Sequence, residues 1–400
     1  MYDNTCLKGL RVQDISSYNS GPIAAQILGD LGADVWKIER VGSGDPTRAM
    51  GPFVKGESLY YQHLNRNKRS MTLNYASPAG KEIFLEIAKD ADVIVENFVA
   101  GKMKKLGLDY ETLREINPRI IMLSITGFGQ KDSPYTYKPA FDIMSQAFSG
   151  IVATTGRPGQ AGVKAGPAII DEMSGWWGAL AILAALYERT ISGEGQHIDL
   201  SMVDCGINSL EHMITQYGVT GVVDGRLGNR HANSVPCGGF NSSDGEETFF
   251  MAIANNKQFF SLLDLMGHPE LKEDERFNTP SARVEYRDIV EPMVNEFTSK
   301  YSRDEILKLL EEANIPCAPV NTIPDLWEEP HFRQRKEIVN LDHPVIGKVP
   351  VTVTPFRPSR TPLRVETAAP MLGADTDDIL SGQLGRGKEE IEKLRAEGII

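Results

Sequence analysis

"LRVQDISSYNSGPIAAQILGDLGADVWKIER", residues 10–40, changes its periodicity twice. "LRVQDIS" (10–16) reads as a strand, "GPIAAQILGDLG" (21–32) as a helix and "ADVWKIER" (33–40) as a second strand. A crossover this short makes a β-α-β unit whose strands run parallel with a right-handed connection. The alternation continues: "AGKEIFLEIAKD" (79–90) is helical, "ADVIVENF" (91–98) a strand, "YETLREINP" (110–118) helical and "RIIMLSITGFG" (119–129) a strand. Runs such as "VIV" (93–95) and "IIML" (120–123) are continuously apolar, as strands are when helices cover both faces of a sheet. The fold class is therefore α/β with a parallel sheet. Ligands of such sheets bind beyond the carboxyl ends of the strands. Those ends are Ser16 to Ser20, Arg40 to Asp45, Asn97 to Gly101 and Thr126 to Gly129, where polar residues and glycines gather.

Further on, "AGPAIIDEMSGWWGALAILAALYER" (165–189) leads into a helix that stops near Ser192 and Gly193. "QHIDLSM" (196–202) alternates as a strand and "VDCGINSLEHMITQYG" (203–218) as a helix. From about 220 the chain becomes loop-rich. "ETFFMAIA" (247–254) then reads as a strand, with helices at 256–266 and 282–313. "NIPCAPV" (314–320) and "PVIGKVPVTVTPFRPSRTP" (344–362) are proline-rich and extended. The expected division is 1–221 for the first part of a large domain and 222–325 for a smaller domain. Residues 326–400 then form a linker and a return to the large domain.

Composition narrows the function. At 400 residues two domains are expected, and a net charge of −12 repels phosphate backbones, so no nucleic-acid partner is expected. Cys6, Cys205, Cys237 and Cys317 form no CxxC and no HExxH occurs, so no metal site is expected. Lone thiols fit a reducing compartment, and "MYDNTCLKGL" lacks the features of a secretory leader. The most apolar stretch, Trp176 to Tyr187, falls short of the roughly 20 residues that span a bilayer. The expectation is a cytoplasmic protein with no membrane partner. No GxGxxG follows the first strand and no GxxxxGK[ST] occurs, which disfavours dinucleotide and P-loop chemistry; "GSGD" (42–45) reads as a turn.

Three features could carry chemistry. "NRNKRS" places Arg66, Lys68 and Arg69 together, and "KMKK" places Lys102, Lys104 and Lys105 where a strand gives way to a helix start. Each is either solvated surface charge or an anion site. Asp171 either caps the helix that follows it or is a functional carboxylate that the helix start keeps ionised. Small neighbours (Gly166, Ala168, Ser174 and Gly175) would let a second reactant approach it. Trp176 and Trp177 read as core.

Taken together, the segments just quoted, with "NRNKRSMTLN", "ADVIVENFVAGKMKKLGL", "AALYERTISGEGQHIDLSMVD", "NSSDG" and "APMLGADTDDIL", resemble the class III CoA-transferase family over nearly the whole chain. Formyl-CoA transferase and carnitine CoA-transferase are members, and α-methylacyl-CoA racemase is a related branch. The resemblance implies a Rossmann-like large domain built from both chain ends, a smaller α+β domain and an interlocked homodimer. It implies that Asp171 attacks an acyl-CoA thioester and passes through an aspartyl-acyl anhydride and an aspartyl-CoA thioester. CoA then moves to a small carboxylic acid, with CoA and acyl-CoA as substrates and no permanently bound cofactor. The resemblance implies CoA contacts at Arg40, Leu73, Asn97, Phe98 and, with lysine in place of arginine, Lys105. Asn19, where formyl-CoA transferase has glutamine, and Gly238 and Gly239, where it has a tetraglycine loop, would position substrate. Ala76 replaces a CoA-contacting lysine. The racemase branch carries a histidine before an aspartate where this chain has Phe141 and Asp142, which removes one of two bases. A CoA-binding protein without catalysis is the remaining alternative.

Overall fold

The computed structural model describes residues 5–400. Six strands form one sheet, numbered here in chain order: β1 (Arg11–Asp14), β2 (Asp34–Glu39), β3 (Lys68–Thr72), β4 (Val93–Glu96), β5 (Ile121–Thr126) and β6 (His197–Ser201). Every pairing is parallel, in the spatial order β3-β2-β1-β4-β5-β6. The order reverses between β1 and β4, which makes the space beyond their carboxyl ends the crevice of a doubly wound sheet.

Alternation along the strands fills two cores. Val93, Val95, Ile121, Leu123 and Ile125 face one layer, with Leu28 of the helix α1 (Ser20–Asp30). Ile94, Met122, Trp36 and Ile38 face the other, with Phe84 and with Ile379, Leu380 and Ile391 from near the chain's end. Burial on both faces is why these strands read as unbroken apolar runs.

The chain separates into two compact units, one of residues 1–151, 164–220 and 333–400, the other of 152–163 and 221–332. The segment Val152–Val163, which the sequence reading gives to the large domain, thus belongs to the second unit. The second unit is α+β. Its antiparallel sheet runs Cys317–Pro319, Gly245–Ala252, Cys237–Ser242 over a core that includes Phe240, Phe249, Phe259, Val290 and Leu310.

Some helices are more broken than their periodicity suggests. The stretch 282–313 holds the end of Pro280–Glu285 and then Arg287–Thr298 and Arg303–Glu312; the last begins at a capping box of Ser302 and Glu305. Residues 203–218 divide into Met202–Asn208 and Met213–Thr220.

The long helix α2 (Ile169–Ser192) lies against α1 through its small residues. A Cβ on Gly175 would stand 2.5 Å from Ile23, and one on Gly178 would stand 2.8 Å from Leu123. By length and composition alone this helix could cross a membrane, beyond the 12-residue stretch singled out in the sequence. Its inner face is instead protein core, with Ile170, Ile182 and Ala185 buried. The outer face is not. Trp176 and Trp177, expected in the core, are 49% and 44% exposed.

Candidate active site

A layer of buried charge lies under the carboxyl ends of β1, β2 and β3. Asp14 pairs with Lys68 at 2.8 Å and Lys37 at 3.5 Å, and Lys37 pairs with Asp45 at 3.0 Å. Glu39 takes two bonds of 2.8 Å from Arg48, whose guanidinium lies over the Tyr61 ring. Each ion has partners, which is the condition for burying it. The layer aims the loop above it. Lys37 donates to the Ser16 carbonyl at 2.6 Å, and Asp14 accepts the Ser16 amide at 3.0 Å. Tyr18 then adopts a left-handed backbone conformation, φ 64°, a strained state for a tyrosine held at the mouth of the crevice.

Asn97 ties the second wall to this loop. Its Oδ1 accepts the Ser17 amide at 2.8 Å and its Nδ2 donates to the Ser17 carbonyl at 2.6 Å. Glu96, buried at the end of β4, accepts the Phe98 amide at 2.8 Å and fixes the next turn. Desolvation pushes the Glu96 carboxyl up to about 7. Between these walls is a cavity of about 290 Å³ at the β1/β4 crevice, lined by Arg40, Asn97, Phe98, Lys138, Phe141 and Asp171 among others.

Asp171 is the carboxylate of that lining, and its setting differs from the sequence reading. The helix starts at Ile169, two residues before Asp171, and Ala168 at the cap offers no side-chain bond. The capping oxygen comes from Asp142, whose Oδ1 accepts the amides of Ile170 at 2.8 Å and Asp171 at 3.4 Å. The Asp171 side chain is therefore not a cap. Nor does the helix start dominate its charge. Burial first, then the Asp142 and Glu172 carboxylates, push the Asp171 carboxyl up to about 7, against a hydrogen bond from Asn19. Asn19 is buried, and its own orientation is set by Tyr60, whose hydroxyl donates to Oδ1 at 2.7 Å. That leaves the amide N–H₂ of Asn19 to face Asp171. Tyr60 has no signal in the sequence, and Asp142 enters it through the comparison with the racemase branch and not as a partner of Asp171, since both act across long loops.

The remaining expected residues are scattered. Arg40, Asn97 and Phe98 line the cavity, whereas the Leu73 side chain is 1% exposed and packs with the hydrophobic core. Lys105 is exposed and outside that lining. Its neighbours Lys102 and Lys104 border a separate cavity of about 260 Å³ with Glu96, Ser124 and His197. Gly238 and Gly239 belong to the second unit, in a strand paired with Met251 and Phe250. They lie in a sheet ladder, with a Cβ on Gly238 barred by the Asn229 carbonyl at 2.1 Å. The first basic cluster is structural too: Arg66 binds Asp30 at 2.5 Å, Lys68 binds Asp14, and Arg69 lies 3.8 Å from Asp34.

With this geometry in place, likenesses to other proteins can be set beside it. The family model described as CoA-transferase family III matches residues 7–376. The chain is 37% identical to succinate–glutarate CoA-transferase of Agrobacterium fabrum over 382 residues, covering 94% of this chain and 95% of that protein. It is 33% identical to succinyl-CoA–D-citramalate CoA-transferase of Chloroflexus aurantiacus, covering 98% of each. It is 34% identical to formyl-CoA:oxalate CoA-transferase of Streptomyces coelicolor, covering 98% of this chain and 99% of that one. Among solved structures, a CaiB/BaiF family protein from Brucella suis superposes with a TM-score of 0.85 at 37% identity, covering 95% of this chain and 100% of that one.

Proposed function

Because this chain belongs to CoA-transferase family III, we propose that it moves CoA from an acyl-CoA donor to a free carboxylic acid through covalent intermediates on Asp171. The observation that carries this reading is a half-buried carboxylate, raised to about 7, facing the cavity at the sheet's switch point with an amide donor beside it. The Asp171 carboxylate attacks the thioester carbonyl, the C–S bond breaks, and CoA thiolate leaves an aspartyl-acyl anhydride. The thiolate attacks the aspartyl carbonyl, the donor acid departs as its carboxylate, and an aspartyl-CoA thioester remains. The acceptor carboxylate then reverses both steps and regenerates Asp171. No net proton or electron is consumed, and two easier exchanges replace one hard one.

In this reading the Asn19 N–H₂, which bonds Asp171, donates to oxygen as charge develops on the attacked carbonyl, the kind of fixed dipole that stabilises such a transition state. Arg40, Asn97 and Phe98 receive the CoA in this reading. The acids are small dicarboxylates, as the names of the relatives from Agrobacterium fabrum and Chloroflexus aurantiacus suggest. The working form is a homodimer, supported by the uncovered apolar face of α2.

The racemase alternative loses support. Asp142 is committed through Oδ1 to two helix amides and through Oδ2 to the Gln146 amide at 2.6 Å, and Phe141 beside it accepts no proton.

Incubation with succinyl-CoA and mass spectrometry of the Asp171 peptide tests the proposal. A CoA thioester adduct is expected on the wild type and none on Asp171→Ala, which should still bind CoA. Turnover by Asp171→Ala at the wild-type rate would overturn it. Deuterium entering the α-carbon of a 2-methylacyl-CoA without transfer would favour the racemase.

A further inference from the structure

A carboxylate in the first turn of a helix is ordinarily stabilised as the anion by the unpaired amides and the positive end of the helix dipole. Such stabilisation makes an acid stronger and its conjugate base a poorer nucleophile. Asp171 holds the third position of a 24-residue helix, so it should suffer this loss. Another carboxylate has taken the place. Asp142, buried and 29 residues upstream of Asp171, sets Oδ1 on the amides of Ile170 and Asp171. Gln146 holds it there, donating to Oδ2 at 2.6 Å while its own Oε1 accepts the Ala165 amide at 2.8 Å. The residue therefore rests on the helix end through a bonded frame that spans both sides of the turn.

We propose that Asp142 is a positioning residue of the transfer reaction: anchored on the first amides of α2, its carboxylate cancels the positive end of the helix at Asp171 and keeps Asp171 a strong nucleophile. This rests on the reading of Asp171 as the nucleophile. Asp142 meets no substrate in this role and acts through Asp171 alone. The other groups facing Asp171 are the Glu172 carboxylate, which adds a weaker effect of the same sign, the Tyr60 hydroxyl and the Asn19 amide. Arg40 and Lys138 are the cations of the same cavity lining. Among the described residues facing Asp171, the Asp142 carboxylate is the one that accepts backbone amides of the helix start, so its charge acts along the helix axis.

The test uses Asp142→Asn in the full-length protein, which keeps an oxygen acceptor for the Ile170 amide and removes the charge. Asp142→Ser, also an uncharged acceptor, is the second variant should the first fail to fold. Release of CoA thiolate from succinyl-CoA in a single turnover is followed from pH 5 to 9, with the Asp171 adduct measured in parallel. In the variants the acid limb should move down by about one pH unit, and the limiting rate at high pH should fall about three- to tenfold, as Brønsted behaviour requires. The donor KM should change less than twofold, which a general loosening of the site would not allow. Glu172→Gln should move the limb less. An unmoved limb in the folded variants overturns the inference while the Asp171 adduct, and with it the transferase reading, stands. Absence of the adduct from the wild type overturns both.

Discussion

Asp171 and its two neighbours show how a side chain can be made reactive by what is withheld from it. Burial and the like charges of Asp142 and Glu172 raise its carboxyl to about 7, above the ordinary carboxylate value. A folded-state pKa above the unfolded one means the native protein binds this proton more tightly. Between about pH 4 and 7 the native state holds the proton and the unfolded chain does not, so this group makes stability fall as pH rises, levelling off above 7. Asp171→Asn should therefore abolish transfer and yet be more stable than the wild type at pH 8, by about 1–3 kcal/mol, with the difference closing towards pH 5. Denaturant melts at the two pH values measure it. A variant less stable at pH 8 would make Asp171 a structural residue after all. Asn19 gives a second test. With Tyr60 holding Oδ1, the amide points one way; Tyr60→Phe frees it to turn over. The expected cost is about three- to thirtyfold in kcat with donor KM little changed, and Asn19→Ala should lose about a hundredfold. Steady-state kinetics with succinyl-CoA separate the two terms.

At the scale of elements, what holds the crevice open is the charged layer beneath it. Asp14 is shared by Lys37 and Lys68, and desolvation lowers the Lys68 ammonium to about 8 even so. Asp14→Asn would leave the buried Lys68 ammonium without its carboxylate partner and Lys37 with Asp45 alone, so a loss of about 3–5 kcal/mol is expected in urea unfolding, with donor KM raised in whatever protein remains folded. A loss under about 1 kcal/mol would show that water reaches the layer. The elements themselves were legible in the sequence for a physical reason. Doubly covered parallel strands leave unbroken apolar runs, and a parallel sheet puts its ligand beyond the strand ends, where Arg40, Asn97 and Phe98 lie; their reading as CoA contacts comes from the family resemblance. What stayed hidden depends on contacts distant in sequence. The cap on α2 comes from Asp142, 28 residues before the Ile170 amide it accepts, so the local pattern alone leaves Asp171 open between a cap and a functional carboxylate. Lys68 reads as surface charge until Asp14, 54 residues away, is brought beside it. Leu73 matched a family contact by position while its side chain turned into the core.

For the whole molecule, the outer side of α2 raises the question of what covers it. Trp176, Leu180, Tyr187 and Ile191 recur at spacings of four and seven and so share one stripe; Tyr187 and Ile191 are 72% and 75% exposed. An uncovered stripe of this kind marks an interaction surface, and its burial in a second copy agrees with the dimer in the proposed working form. Contacts of that kind are apolar and should resist salt, whereas a surface held by charge would come apart as ionic strength rises. Sedimentation should give twice the 44.1 kDa chain mass at 0.1 M and at 1 M salt alike. Leu180→Glu combined with Tyr187→Glu places two carboxylates in the stripe without touching the cavity residues. The double variant should sediment as a single chain at micromolar concentration, keep its circular dichroism and lose most of its transfer activity. A wild type that runs as a monomer and is active would show that one chain suffices for the reaction, and a double variant that remains dimeric and fully active would show that the dimer forms through another surface.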